Sequence, residues 1–194
     1  MPESSFVTLL SGGLDSVVAL AVAARASRPA LCLTFDYGQP AARREIEAAR
    51  RVAAHYSSAH QVVELPWYRQ LLPEAFLGAG ERVPEPESFG AESARAVWVP
   101  GRNLVLVAIA AAWAEKLGAV EVVAGFNAEE AATFPDNSAE FVRAVCAALS
   151  FSSRGKVRLS APLAGTHTNA KTRTPKTEWA KLREFYHERG SVST

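Results

Sequence analysis

Residues 11–16 read S-G-G-L-D-S and stand between an apolar run ending VTLL and a second one, VVALAVAA. Strand, tight turn and helix follow in that order, and a chain that opens this way must build a sheet with helices packed on it. Two adjacent glycines allow φ > 0 and let a ligand approach the backbone with no Cβ in the way. The helix that follows points its unpaired N–H groups back at the turn, so the turn is a concave anion site. Ser11 and Ser16 add hydroxyls. Asp15, at the helix start, can cap free amides or hold a metal ion. No lysine follows the glycines as in G-x-x-x-x-G-K-[ST], so positive charge must come from elsewhere in the chain.

The alternation continues. Strands are expected over 5–10, 30–35, 60–65, 120–125 and 157–161, and helices over 15–26, 41–56, 67–72, 103–117, 139–149 and 176–188. The run ALCLTF is continuous and apolar, as in strands buried on both faces. This order predicts an α/β fold: a doubly wound, five-stranded, mainly parallel sheet with helices on both faces. Ligands of such sheets gather at the carboxyl ends of the strands, where the order reverses. Residues 11–16 and 36–40 are both expected there.

The 194 residues fit a single domain, with a loop excursion at about 73–98, and 48% hydrophobic content suffices for a substantial core. A net charge of +1 implies no strong field and gives nucleic acid no support as a partner. The longest apolar run, residues 104–114, is too short to span a bilayer, and the N-terminus lacks a basic region followed by an apolar one. A soluble cytoplasmic protein is expected. Cys32 and Cys146 fall in a predicted strand and a predicted helix and read as small buried side chains, with no metal site from cysteines.

Four further turn clusters carry chemistry. Asp36-Tyr37-Gly38-Gln39-Pro40 follows the second strand. Val99-Pro100-Gly101-Arg102-Asn103 opens a helix that is apolar nearly all round and should therefore be buried, with Asn103 as its N-cap. Arg102 beside a helix N-terminus gains nothing from the dipole, which an anionic ligand would explain. Phe126-Asn127-Ala128-Glu129-Glu130 and Phe134-Pro135-Asp136-Asn137-Ser138 follow the fourth strand, and Asn137 or Ser138 caps the next helix. Six Lys or Arg and no acid lie between Arg154 and Lys176. Lys176, which opens the last helix from the ligand side, could supply the charge the glycine loop lacks.

SGGLDS resembles the pyrophosphate-binding loop of the PP-loop ATP pyrophosphatases, which cleave ATP between its α and β phosphates and adenylate a substrate. With FDYGQ and the following REIEAA, VPGRN, and GFNAEE with FPDN, the chain resembles the 7-cyano-7-deazaguanine synthases in motif order and spacing. APL at 161–163 and KTEW at 176–179 fit the tail of that pattern more loosely. The resemblance implies a Rossmann-like PP-loop fold and an ATP-dependent carbon–nitrogen ligase. Such an enzyme converts 7-carboxy-7-deazaguanine and ammonia, through an adenylate and an amide, to the nitrile of the queuosine and archaeosine precursor pathway, releasing AMP and pyrophosphate.

It further implies ATP and Mg²⁺ as cofactors, held by Leu10, Ser11, Gly12, Gly13, Leu14, Asp15, Ser16, Phe35, Arg102 and Asn103. Asp15, Ser16 and Lys176 would be catalytic, and Tyr37, Gln39, Phe134, Asp136 and Asn137 would contact a purine-like ring. Family members carry a four-cysteine zinc site in a C-terminal segment; this chain has no such cysteines, and its segment at about 164–194 lacks the site. Pro40 replaces a usual Arg, Asn137 a frequent Cys, and residues 165–174 lengthen the gap between APL and KTEW. Two other readings stay open: a PP-loop paralogue that adenylates a tRNA base or protein terminus, and a nucleotide-binding module without turnover. An apolar face on the last helix could serve a homodimer.

Overall fold

The computed structural model describes residues 5–73 and 98–164. The first half is built as β1 (Ser5–Leu9), α1 (Leu14–Ala23), β2 (Arg28–Asp36), α2 (Ala42–His55) and β3 (Ala59–Glu64), followed by a 3₁₀ helix at Pro66–Leu71. The second half contributes α3 (Arg102–Leu117), β4 (Glu121–Val123), α4 (Ala128–Ala131), a 3₁₀ turn at Pro135–Asn137, α5 (Ala139–Ser152) and β5 (Arg158–Ser160). The strands form one five-stranded sheet in the order β3-β2-β1-β4-β5. All four pairings are parallel.

Side-chain alternation sorts the core into two layers. Phe6, Leu10, Cys32 and Val123 face Val17 and Leu20 of α1 and Ala49, Val52 and Ala53 of α2. Val7, Leu31, Leu33, Phe35 and Val122 point the other way, against Val107, Ala110 and Ala114 of α3 and Val145 and Leu149 of α5. The chain builds outward from β1 to β3 with its helices on one face. It then returns across the sheet through α3 and builds outward from β4 to β5 on the other, as the right-handedness of parallel crossovers requires. The order therefore reverses between β1 and β4.

Three local expectations are corrected. Gly101, at φ 64°, is the N-cap of α3, and Asn103 lies inside the helix with its side chain buried. The Pro100-Gly101 turn needs a left-handed residue, which starts the helix earlier than the Asn cap would. Nor is α3 buried all round: Val107, Ala110, Ala111 and Ala114 are covered, whereas Leu104 is 50% exposed and Ala108 and Ala112 face outward. Only one stripe of the helix meets the sheet. Of the two loop glycines, Gly12 takes positive φ (74°), whereas Gly13 is extended at φ −74°, ψ 159° and serves as the N-cap of α1. Ser138 is the cap of α5, its Oγ accepting from Phe141 N at 3.1 Å.

Cys32 is buried and Cys146 half-buried, both as free thiols. Most of the 73–98 excursion, residues 165–174, Lys176 and the expected helix over 176–188 with its dimer face lie outside the described residues.

Candidate functional site

The carboxyl end of β1 is held on both sides by β2. Leu10 donates its N–H to Leu33 O (2.8 Å), and its carbonyl accepts from the Thr34 hydroxyl (2.6 Å). Thr34 Oγ1 also lies 2.8 Å from His60 Nε2 on β3. Since the Thr34 hydrogen is committed to Leu10, the imidazole nitrogen is the donor. Burial, and then the charge of Arg50, holds the His60 pKa below its ordinary value, which suits a neutral ring.

From this fixed point the loop turns down onto α2. A Cβ on Gly12 would stand 2.6 Å from Ala48 Cβ, so the glycine is required both by its φ and by the helix beneath it. Gly13 presents its carbonyl to Val17 N (3.2 Å) and to the Ser16 hydroxyl (2.8 Å). Because Ser16 spends its hydrogen there, Ser11 donates in the 3.2 Å contact between the two hydroxyls. Gly13 N–H in turn donates to Ser11 Oγ (3.2 Å). One loop amide is thus engaged within the loop. No side chain caps α1, so the first-turn amides of Leu14, Asp15 and Ser16 lack helical acceptors, as at any helix start.

The segment after β4 closes against this helix start. A Cβ on Gly125 would lie 2.6 Å from Ser16 N and 2.8 Å from Asp15 C, an approach only glycine allows. Asn127 caps α4, its Oδ1 accepting from Glu130 N (2.7 Å), while its Nδ2 donates to Asp15 Oδ2 (3.2 Å). Burial raises the Asp15 pKa, the Asn127 bond opposes that, and Glu129 adds to it. Glu130 is likewise pushed up by burial and then by Asp15.

The turn after β2 makes the facing wall. Gln39 is buried, and its amide is fully used inside the protein. Oε1 accepts from Tyr37 N (3.0 Å), and Nε2 donates to Phe35 O (2.9 Å) and to Glu45 Oε2 (2.9 Å). Arg102, the first residue of α3, hydrogen-bonds Tyr37 and donates through Nε to Asn103 Oδ1 (3.2 Å). Asn103 Nδ2 reaches the main-chain oxygen of Asp136 (3.3 Å). Burial raises the pKa of Tyr37, Glu45 and Asp136, and the guanidinium of Arg102 acts against it in each case.

Together these segments line a cleft of about 340 Å³ at the carboxyl ends of β1, β2 and β4, the size of a small-molecule site. Of the residues singled out in the sequence, Leu10, Ser11, Gly13, Leu14, Asp15, Ser16, Phe35, Tyr37, Arg102, Asn103 and Asn137 line it. Gly12 and Gln39 support the wall from behind. Phe134 and Asp136 are not among the lining residues; Phe134 stacks on Trp98, with ring centroids 6.2 Å apart. Asn127 and Glu130 belong to the turn cluster expected at the ligand edge but had no role of their own, and Glu45 was not placed there: Glu45 and Glu130 are in the lining, and Asn127 stands behind Asp15. Their readable signal was a carboxylate or amide in the first turn, or at the cap, of the helix that follows a ligand-side strand. Arg102 is the only Lys, Arg or His among the described lining residues, against the carboxylates of Asp15, Glu45 and Glu130.

This wall suits a nucleotide accompanied by a divalent cation. Asp15 has one oxygen tied to Asn127, and Mg²⁺ is commonly held by one or two carboxylates with phosphate oxygens completing its shell. Among the described residues no group of three His, Cys, Asp or Glu could hold a metal ion, so the zinc implied by the resemblance has no ligand set there.

The chain matches the family model described as Queuosine biosynthesis protein QueC over residues 5–181. It is 51% identical over 160 residues to a 7-cyano-7-deazaguanine synthase of Desulforudis audaxviator, covering 79% of this chain and 72% of that protein. With the synthase of Pelotomaculum thermopropionicum it shares 46% identity over 183 residues, 91% and 79% of the two chains. Among solved structures, one from Methanocaldococcus jannaschii, described as a predicted subunit of a tRNA methyltransferase, aligns with a TM-score of 0.51 at 16% identity over 96% of this chain and 88% of its own. That likeness concerns the fold alone. The ordered motifs, the loop at the sheet's reversal and the match over most of the sequence lead to one conclusion: this chain belongs to the QueC family of queuosine biosynthesis proteins.

Proposed function

We propose that the protein is an ATP-dependent carbon–nitrogen ligase that converts 7-carboxy-7-deazaguanine and ammonia, through an adenylate and an amide, to 7-cyano-7-deazaguanine with release of AMP and pyrophosphate. The observation that carries this reading is the cleft at the β1/β4 reversal, floored by the Ser11–Ser16 loop and faced by Arg102. A carboxylate is a poor electrophile, and the adenylyl group from ATP makes one of its oxygens a leaving group.

The chain's own residues then have defined tasks. The first-turn amides of α1 hold the departing pyrophosphate, and Ser11 and Ser16, bonded to each other and to Gly13, fix the loop that presents those amides. Asp15, oriented by Asn127, helps hold Mg²⁺, which offsets the clustered negative charge. Phe35 meets the adenine, and Arg102 with Asn103 steadies the phosphate side. Tyr37 and Asn137 face the deazaguanine ring from the wall, with Phe134 and Asp136 at the border of the cleft. Lys176 adds a second positive charge. Every partner in this scheme is a small molecule, and the site of action is the cytoplasm. Among the described residues, no helix is long and apolar enough to cross a membrane.

Incubation with ATP, Mg²⁺, an ammonium salt and 7-carboxy-7-deazaguanine is expected to give AMP and pyrophosphate in step with amide and nitrile. Release of ADP and phosphate would reject cleavage between the α and β phosphates. Turnover that ignores the 7-carboxy compound and answers to another acid would reject the substrate.

A further inference from the structure

The cleft contains three carboxylates with different surroundings. Asp15 is tied to Asn127 at the phosphate loop, and Glu130 sits near Asp15 and Asp136, so both belong to the crowded acidic side, where a cation is the natural neighbour. Glu45 lies on the opposite wall, in the first turn of α2. The charged and titratable groups around it are Asp36 at the end of β2, Tyr37 after it and Arg102 at the start of α3.

The bonds of Gln39 settle the state of each Glu45 oxygen. A primary amide has one acceptor oxygen and two hydrogens. Gln39 Oε1 receives the Tyr37 N–H, which fixes the orientation of the amide, and one hydrogen goes to the Phe35 carbonyl. The second is directed at Glu45 Oε2, so that oxygen must accept in every protonation state. A proton on this carboxyl therefore resides on Oε1, the oxygen not tied to Gln39. The side chain is a one-proton device with a defined proton-carrying atom. Burial raises its pKa from the ordinary glutamate value, opposed by the Gln39 hydrogen bond and the charge of Arg102.

We propose that Glu45 is the catalytic proton acceptor for the incoming amine nitrogen during amide formation, with Gln39 as its positioning residue; this deepens the function proposed above and rests on it. In the step, the lone pair of ammonia forms the C–N bond at the adenylated carbonyl carbon. One N–H proton passes to Glu45 Oε1. The C–O bond to the adenylyl group then breaks, its electron pair leaving on the phosphate oxygen of AMP. Glu45 returns its proton to solvent before the next turnover, so atoms and charge balance without a further reactant.

The test separates adenylate formation from its aminolysis. Glu45→Gln keeps a carbonyl oxygen to accept from Gln39 and removes the ability to take a proton, together with the charge that faces Arg102. The variant is expected to have a thermal midpoint at or above that of the wild type. It should carry out pyrophosphate exchange into ATP, dependent on 7-carboxy-7-deazaguanine, within a few-fold of the wild-type rate, and form the hydroxamate when hydroxylamine replaces ammonia. Amide formation from ammonia should fall about 100-fold or more, the usual scale of a lost general base. Glu45→Asp, which keeps the carboxyl but withdraws it, should recover part of that loss. Parallel loss of exchange and amide formation, or amide formation at the wild-type rate, would overturn the assignment. If wild-type protein shows no exchange with the 7-carboxy compound, the proposed function falls first and this inference with it.

Discussion

At the scale of single residues, adjacent glycines in one motif have opposite requirements. Gly12 combines φ 74° with a Cβ position 2.6 Å from Ala48 Cβ, whereas Gly13 has an extended backbone and its Cβ position meets only Ser11 Oγ, at 3.3 Å. A left-handed residue with a side chain costs about 1–2 kcal/mol, and overpacking typically adds about 1–3 kcal/mol. Gly12→Ala is therefore expected to lower the unfolding free energy by about 2–5 kcal/mol. Gly13→Ala should stay within about 1 kcal/mol of the wild type, because its φ is open to any residue. Urea titrations of the two variants check this, and equal losses would show that the loop is not seated on α2 as described. The sequence showed that both positions needed glycine-like freedom near a ligand. It could not show which was wedged against a helix some thirty-five residues further on, since that depends on how α2 packs.

At the scale of elements, the 3₁₀ helix Pro66–Leu71 braces the turn that launches α3. The buried Tyr68 donates its hydroxyl to Pro100 O at 2.7 Å, and its ring meets the Tyr37 edge with centroids 6.1 Å apart. Tyr68→Phe keeps the ring and leaves that carbonyl without its donor. A loss of about 1 kcal/mol in stability is expected on the usual scale of a single hydrogen bond, measured by urea unfolding. A weaker grip on Arg102 should accompany it, seen as a higher KM for ATP. The strands and the long helices of the described residues were legible, because apolar runs and turn residues agree with one another, whereas the short α4 and the 3₁₀ turn after it were read as turn clusters. Burial of α3 was misread: LVLVAIAAAWA is apolar all round, but which stripe is covered depends on the neighbours. Asn103 looked like a cap by residue type, yet Gly101 took that place and left the Asn amide to bridge Arg102 and Asp136.

At the scale of the whole molecule, the cleft and its border form a reservoir of desolvated acid. Asp15, Glu45, Glu130 and Asp136 all have pKa values raised from 3.8 or 4.5, with burial the first cause in each. A carboxyl whose folded pKa lies above its unfolded value binds its proton more tightly in the native state. Folding then loses stability as pH rises through that interval, and the loss is complete above it. These groups accordingly destabilise the free protein at neutral pH and contribute nothing once pH is below their unfolded values. Glu130→Gln is thus expected to raise the thermal midpoint at pH 7 and to leave it unchanged at pH 3.5. A midpoint that falls at pH 7 would mean that Glu130 is stabilised by a partner. The five-stranded architecture and the ligand edge were readable from the alternation of elements alone. The acidic character of the wall was not, because Glu45 looks like an ordinary surface charge on an amphipathic helix, and Glu130 like one acid of a turn cluster, until the strand order sets them face to face.

The near-contact of Gly125 with the backbone of Ser16 joins the two arms of the sheet at the same point where a ligand would be received. Folding and turnover therefore share one joint. Under the proposed function a change of substrate falls on wall residues such as Tyr37 or Asn137, but a side chain at position 125 would push the segment after β4 away from Ser16 and disturb the loop floor with it. Assays of protein abundance and of catalysis should decline in concert there, and diverge almost everywhere else around the rim.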